Sequence, residues 1–82
     1  MKIFVSPKAK KALLKIPAEI RSKIINQIDL LSSDPFPRSA KKLTNQPGYR
    51  IRVGDYRVLY LVDVGDQNLY IIKIAHRREV YR

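Results

Sequence analysis

The hydrophobic positions of this chain follow a helical period in its first part and a strand period in its second. Before residue 32, apolar side chains recur every three or four positions: Ala9, Ala12, Leu13, Ile16, then Ile20, Ile24, Ile28 and Leu31. From Tyr49 onward, apolar and polar residues alternate in short runs. The change of period predicts two amphipathic helices followed by antiparallel strands.

Capping and breaking residues set the boundaries of the first elements. Lys2–Val5 is a short strand-like run, and Ser6 followed by Pro7 is a typical helix start, with Ser as N-cap and Pro in the first turn. Pro17 ends that helix and begins another, with Glu19 in its first turn. Because the break is short, we expect an antiparallel helix pair that covers one face of a sheet.

After a polar loop over residues 32–48, a β-hairpin is predicted around a two-residue turn at Gly54-Asp55. This turn pairs Arg52 with Arg57 on one face. Like charges opposite each other destabilise a sheet by about 0.2 to 1 kcal/mol, so an anion is expected there. The other face, against the helices, receives the apolar and aromatic side chains: Tyr49, Ile51, Val53, Tyr56, Val58 and Tyr60.

The last strand is predicted over Asn68–Ile74, after a three-residue turn at Val64–Asp66. This register aligns Lys73 with Arg57 and Arg52 in a cationic row on the open face. It also turns three side chains of the strand toward the helices: Tyr70, Ile72 and Ile74. The predicted fold class is α+β, with order β-α-α-β-β-β, a helix pair on one face of a mostly antiparallel four-stranded sheet, and the first strand beside the last.

Composition supports one small domain, residues 1–82, with an anionic partner. Lys and Arg number 17 against 7 Asp and Glu, giving a net charge of +10, while 45% hydrophobic residues are typical of a globular chain. The absence of cysteine excludes disulfides, thiolate zinc sites and a cysteine nucleophile. No apolar run is long enough for a membrane span, so we expect a cytoplasmic protein without a membrane partner.

The C-terminal segment adds groups that can move protons and hold phosphates. It contains the only histidine, His76, together with Arg77, Arg78 and Tyr81. With the hairpin arginines, these side chains could form a phosphodiester site in which cations stabilise charge on phosphorus. No His, Asp or Glu cluster has metal-ligand spacing, and no glycine-rich phosphate loop is present, so neither metal nor cofactor is expected.

Two segments and the order of elements carry a resemblance to a known family. The segments are KKLTNQPGYRIRVGDYRVLY and KIAHRREVY. They make the chain similar to the RelE/ParE toxin superfamily of toxin–antitoxin modules. Within it, the chain resembles the RelE-like mRNA endonucleases. The resemblance implies a toxin that inhibits translation by entering the A site of the 70S ribosome, against 16S rRNA, and cutting the mRNA codon. The ribose 2′-OH would attack the neighbouring phosphate, and a cognate antitoxin would hold the enzyme inactive.

The resemblance implies which residues form the site. The family's pair of basic residues matches Arg50 and Arg52, and its next arginine matches Arg57. Its C-terminal arginine and tyrosine match Arg77 and Tyr81. Founding members have lysines at the first two positions. A guanidinium stays protonated, so Arg52 cannot accept a proton from the 2′-OH.

Proton transfer is therefore assigned to His76 or Tyr81, without deciding which is acid and which is base. The alternative is a step that relies mainly on electrostatics and on positioning of the substrate by the ribosome. Arg57 and Arg77 are expected on the scissile phosphate. The remaining cations would hold flanking phosphates: Arg50, Arg52, Lys73 and Arg78.

Other interpretations remain open at this level. The arginine face could be an ordinary solvated sheet surface, and a lone histidine is more often structural than catalytic. A ParE-like toxin shares the fold but inhibits DNA gyrase, and a noncatalytic module would bind RNA without cutting it. In the toxin interpretations, the charge of +10 predicts an acidic, amphipathic antitoxin.

Overall fold

The computed structural model describes residues 1–80, with side-chain surroundings for residues 1–78. Two helices, α1 (Pro7–Leu14) and α2 (Ala18–Leu31), pack on a mixed five-stranded sheet, and a short helix α3 (Arg77–Val80) follows the last strand. The strands are β1 (Lys2–Val5), β2 (Lys41–Lys42), β3 (Tyr49–Val53), β4 (Tyr56–Asp63) and β5 (Asn68–His76). The α+β class predicted from the sequence is confirmed.

The sheet order is β1-β5-β4-β3-β2, so the first strand lies beside the last, as predicted. The β1–β5 pair is parallel and the other pairs are antiparallel. The two-residue strand β2 makes the sheet five-stranded rather than four-stranded. The sequence predicts a loop at these residues, because two residues are too few to show a period.

The start of α1 matches its sequence signals. Ser6 Oγ accepts a hydrogen bond from the Ala9 N–H at 3.0 Å, and Pro7 takes the first helical position. Ser6 Oγ also donates to the Ile72 carbonyl oxygen at 3.1 Å. This one hydroxyl therefore caps the helix and ties it to β5.

The core lies between the helices and one face of the sheet. The helix stripes contribute Ala9, Ile24, Ile28 and Leu31, all buried. The strands contribute the alternate residues that face them: Ile51, Val53, Val58, Tyr60, Leu69, Ile71 and Ile74. Tyr60 is fully buried and donates its hydroxyl to the Pro35 carbonyl oxygen at 2.8 Å, which fixes the loop after α2.

The first hairpin has the predicted register. Arg52 pairs with Arg57, and Val53 pairs with Tyr56 around the Gly54-Asp55 turn. Gly54 has φ of 59°. A positive φ at the first central residue alone is the pattern of a type II′ turn, which matches the right-handed twist of the strands.

The predicted register of the second hairpin is wrong. Asp63 pairs with Asn68, and the Val64 carbonyl oxygen accepts from the Gln67 N–H at 3.4 Å, so the turn is centred on Gly65-Asp66. That register alone would turn Lys73 toward the helices. A β-bulge between the Leu59 and Tyr60 pairs takes up one extra residue of β5 and returns Lys73 to the open face, opposite Leu59.

The bulge divides β5 into two halves, and the prediction of which side chains face the helices is correct in only one of them. Beyond it, Ile74 is buried against the helices, as expected. Nearer the turn, Tyr70 pairs with Leu61 on the open face and Ile72 is also exposed, so the core assignment of these two residues is wrong. Leu69 and Ile71 occupy the core in their place, both at 0% exposure.

Candidate functional site

Five cations converge on the open face of the sheet, opposite the helices. We call them the cationic strip: Lys41, Arg50, Arg52, Arg57 and Lys73. They come from β2, β3, β4 and β5, so four neighbouring strands each contribute to one surface. Alternation along each strand places them there, because residues paired across strands share a face.

The cationic strip consists of two rows. In one row, Lys41 pairs with Arg50, Arg50 with Leu59, and Leu59 with Lys73. In the other row, Arg52 pairs with Arg57. The rows are two residues apart along each strand, which corresponds to roughly 7 Å. Lys73 therefore lies in the row of Arg50 rather than in the row of Arg57 and Arg52, where the sequence had placed it.

Arg57 occupies the centre of the cationic strip. It is 5% exposed and is the one buried charged residue in the part of the chain that the structure describes. Ala75 flanks it on β5 and Arg52 flanks it on β3. The pairing with Arg52 places two guanidinium groups side by side, which concentrates positive charge at this point of the strip.

The rest of the cationic strip is not neutralised within residues 1–78. Lys41, Arg50, Arg52 and Lys73 have no carboxylate oxygen within 4.0 Å there. Lys41 and Arg52 are exposed, and Arg50 and Lys73 are half-buried. Partly desolvated cations without internal counter-ions form a surface suited to phosphate groups.

Arg77 lies at the hairpin turn, at the same end of the sheet as the Arg52–Arg57 pair. Its N–H donates to the Asp55 carbonyl oxygen at 2.7 Å, and its Nε is 4.0 Å from Asp55 Oδ1. Both side chains are more than half exposed, so this ion pair contributes little to stability. The backbone bond holds the start of α3 against the turn and leaves the guanidinium open to solvent.

His76 lies on the other face of the sheet from Arg57, and the expectation that they share a pocket is wrong. Strand β5 continues to His76, which pairs with Tyr56, whereas Ala75 pairs with Arg57. One step along an extended strand reverses the side-chain direction. The imidazole packs edge-on against the Tyr56 ring, with centroids 5.4 Å apart, on the helix side.

There His76 lines a cleft of about 460 Å³ beneath α1. Three lysines of α1 line the same cleft: Lys8, Lys11 and Lys15. The Arg78 N–H donates to His76 Nδ1 at 3.3 Å, and the Arg78 side chain is exposed. Tyr81 lies outside the described residues.

Lys41 is a member of the cationic strip that the sequence analysis missed. A signal was available in the turn at residues 46–48. The Leu43 N–H donates to the Gly48 carbonyl oxygen at 2.9 Å, and continuing this pairing outward gives Lys42 opposite Tyr49 and Lys41 opposite Arg50. Extending the turn by two pairs would have found β2.

In the described part of the chain, no three side chains among His, Cys, Asp and Glu come together as a possible metal site. No helix in the same range is both long and apolar enough to cross a membrane.

Comparison with known proteins identifies the family. Residues 3–81 match the family model described as the ParE toxin of type II toxin–antitoxin systems, parDE. A candidate toxin named RelE1 from Methanocaldococcus jannaschii is 30% identical over 76 residues, which cover 88% of this chain and 84% of that protein.

Solved structures agree with this match. The archaeal RelE–RelB complex of Pyrococcus horikoshii superimposes with a TM-score of 0.80 at 29% identity, covering 93% of each chain. The RelBE2 toxin–antitoxin complex of Mycobacterium tuberculosis gives 0.81 at 28% identity, covering 93% of this chain and 96% of that one. The chain thus belongs to the RelE/ParE superfamily and is a toxin of a toxin–antitoxin module.

Proposed function

We propose that this toxin is a ribosome-dependent mRNA endonuclease that cuts codons in the A site. The observation that carries the proposal is the cationic strip: a buried arginine, Arg57, within a group of exposed and half-buried cations on one open face. Such a surface suits a backbone phosphate that gains charge during reaction. The similarity to RelE toxins supports RNA as the substrate.

The proposed reaction is an internal transesterification. The ribose 2′-oxygen attacks the adjacent phosphorus and loses its proton. The bond from phosphorus to the 5′-oxygen then breaks, leaving a 2′,3′-cyclic phosphate, and the departing oxygen takes up a proton as a 5′-OH. Because DNA lacks the nucleophile, the substrate is restricted to RNA.

Four members of the cationic strip, together with Arg77, have proposed roles. Arg57 and Arg77 would contact the scissile phosphate and stabilise the two negative oxygens that develop on phosphorus. Arg50, Arg52 and Lys73 would hold flanking phosphates and so orient the 2′-oxygen for attack. None of the arginines accepts a proton, since a guanidinium stays protonated.

Proton transfer needs a group other than these cations. His76 faces the helices, so we do not assign it this role. Tyr81, the tyrosine that the family resemblance points to, is the proposed group. Positioning of the mRNA by the ribosome would supply the remaining rate enhancement.

The proposed partners follow from the charge and the relatives. A net charge of +10 suits 16S rRNA and mRNA in the 70S ribosome, which implies a cytoplasmic site of action. An acidic, amphipathic antitoxin would neutralise the same charge. The relatives from P. horikoshii and M. tuberculosis were solved as toxin–antitoxin complexes, which supports such a partner.

A translating extract with primer-extension mapping of a reporter mRNA tests the proposal. We expect cuts spaced by codons, reduced about 100-fold to 1,000-fold by Arg57→Ala, because one oxyanion-stabilising donor has that effect in other enzymes. Arg57→Lys should retain part of the rate, since it keeps the charge but loses the planar fork. Intact mRNA with the wild-type protein would refute the nuclease.

The second candidate is inhibition of DNA gyrase, which the ParE description of the matching family model favours. It predicts intact mRNA and blocked DNA supercoiling in an assay with purified gyrase. A third outcome is RNA binding with steep salt dependence and no cleavage in either assay, which would indicate a noncatalytic module.

A further inference from the structure

Two aromatic rings lie stacked and exposed on the open face, beyond the cationic strip. Phe4 on β1 pairs with Tyr70 on β5, with ring centroids 5.4 Å apart and planes inclined by 19°. Phe4 is 46% exposed and Tyr70 is 37% exposed. We call them the aromatic pair. Neither ring belongs to the core, so core packing does not account for them.

The aromatic pair continues the surface formed by the cationic strip. Tyr70 and Lys73 both lie on β5 and both face outward, on either side of the bulge. Their separation along the strand is roughly 7 to 10 Å. Arg57 is on the order of 14 Å from Tyr70, counted as four residues along β4 and one strand across. The distances suit successive nucleotides of one extended strand.

The rings are well placed to accept a flat ligand. The Asn68 Nδ2 donates to the Tyr70 hydroxyl at 3.3 Å, which restrains that ring. Phe4 lies on β1, the edge strand of the sheet, so no strand of the described chain lies beyond it. A base could therefore extend the stack at the open side of Phe4 or lie on the exposed rings.

We propose that the aromatic pair is a stacking platform for an unpaired base of single-stranded RNA whose phosphates lie on the cationic strip. This deepens the proposed function and rests on it, because the cleaved RNA would supply the strand. Cations along a groove combined with aromatic faces are the usual chemistry of single-strand binding. A nucleotide strand supplies both kinds of partner in each repeating unit, a phosphate for the cations and a flat base for the rings.

The test measures binding of a short 2′-O-methyl RNA, which cannot be cleaved, by fluorescence anisotropy at several salt concentrations. Phe4→Leu and Tyr70→Leu should each weaken binding about 5-fold to 100-fold, the range seen for a lost base–aromatic stack. Tyr70→Phe keeps an aromatic ring and should bind the RNA with the affinity of the wild type. The slope of log affinity against log salt should not change, because no phosphate contact is lost.

Matched controls separate stacking from folding and from charge. Phe36→Leu removes a ring of similar exposure, 48%, that packs on Tyr49 at the helix side, and should leave affinity unchanged. Lys73→Gln should weaken binding and lower the salt slope. An oligonucleotide with abasic sugars should bind the Phe4→Leu variant and the wild type equally.

The possible outcomes are distinct. If the leucine variants bind RNA like the wild type while Lys73→Gln binds weakly, the aromatic pair is no platform, although the nuclease proposal stands. If these variants instead lose only the co-expressed antitoxin, the aromatic pair is a protein-docking surface and the inference is overturned. If stacking-dependent binding occurs but mRNA stays intact on ribosomes, the platform stands and the nuclease proposal fails. Absence of any RNA binding refutes the platform, and the nuclease proposal is then decided by the mRNA-cutting assay alone.

Discussion

Arg57 shows how the fold can restrict a side chain that the proposed site uses. It is buried on the middle strand of the sheet, next to the hairpin turn, and pairs with Arg52. An arginine held this way has few rotamers left, so little entropy is lost when it binds a phosphate. The same rigidity makes Arg57 the best position at which to test transition-state stabilisation.

A substitution at His76 tests whether the imidazole takes part in the proposed reaction. It faces the cleft under α1, away from the cationic strip, so His76→Gln should leave the codon-spaced cutting rate within about threefold of wild type. The dependence of the cutting rate on pH should also be unchanged, because the imidazole does not face the proposed reaction centre. A loss comparable to that of Arg57→Ala would contradict the assignment of His76 to the helix face.

Tyr60 gives a prediction for stability against pH. Burial, with smaller contributions from Tyr49 and Asp34, raises the pKa of its phenol to about 12 from 10.0. The unfolded chain therefore loses this proton first as the pH rises. The stabilisation is fully present below pH 10 and should fall by about 2 kcal/mol as the pH approaches 12.

Urea unfolding of the wild type and Tyr60→Phe tests this prediction. At pH 8 the variant should be less stable by about 1 kcal/mol, because it lacks the hydrogen bond to Pro35. Above pH 10 the difference should shrink and then reverse, since phenylalanine does not titrate. A difference that stays constant to pH 12 would show that Tyr60 keeps an ordinary pKa.

At the scale of elements, Gly48 joins the loop to β3 under a close constraint. Its φ is +115°, and an added Cβ would lie 2.8 Å from the Tyr60 carbonyl oxygen. Gly48→Ala should therefore lower the free energy of unfolding by about 2 to 3 kcal/mol, through backbone strain and a backbone clash. The control is Gly65→Ala, whose nearest neighbour, Asp63 Oδ1, is 3.5 Å away and which should cost under about 1 kcal/mol.

The elements also show where sequence reasoning works and where it stops. Ser6-Pro7 and Gly54-Asp55 act locally, so the start of α1 and the register of the first hairpin were predictable. The bulge in β5 was not, because no local residue signals it. It is stabilised by tertiary contacts, among them the Ser6 hydroxyl bonded to the Ile72 carbonyl oxygen.

For the candidate site, most members were predictable and their arrangement was not. Alternation placed Arg52 and Arg57 together, and the family resemblance named Arg50 and Arg77. The face of His76 depended on how far β5 extends, and the row of Lys73 depended on the bulge. Both are properties of strand pairing rather than of any one segment.

At the scale of the whole molecule, positive charge covers both sides of the sheet. Lys8, Lys11 and Lys15 line the cleft under α1, on the helix side of the sheet. Changing all three to glutamine should raise the ribosome concentration for half-maximal cutting by roughly tenfold at low salt, because phosphate contacts are lost. The cutting rate at saturation should not change.

Lys23→Gln on α2, an exposed lysine outside the cleft, is the control and should have little effect. If the triple variant instead lowers the saturated rate, the lysines act on the reaction step and not only on ribosome affinity. If neither constant changes, the helix side does not contact the ribosome.

The parallel pairing of β1 with β5 has a consequence for biosynthesis. Lys2 lies opposite Asn68, so the first strand made must wait for the last one before it acquires the one neighbour that it has in the described sheet. Such long-range pairing delays folding until nearly the whole chain has been synthesised. A nascent toxin therefore lacks its finished sheet, so under the proposed function it would not cut mRNA on the ribosome that is making it.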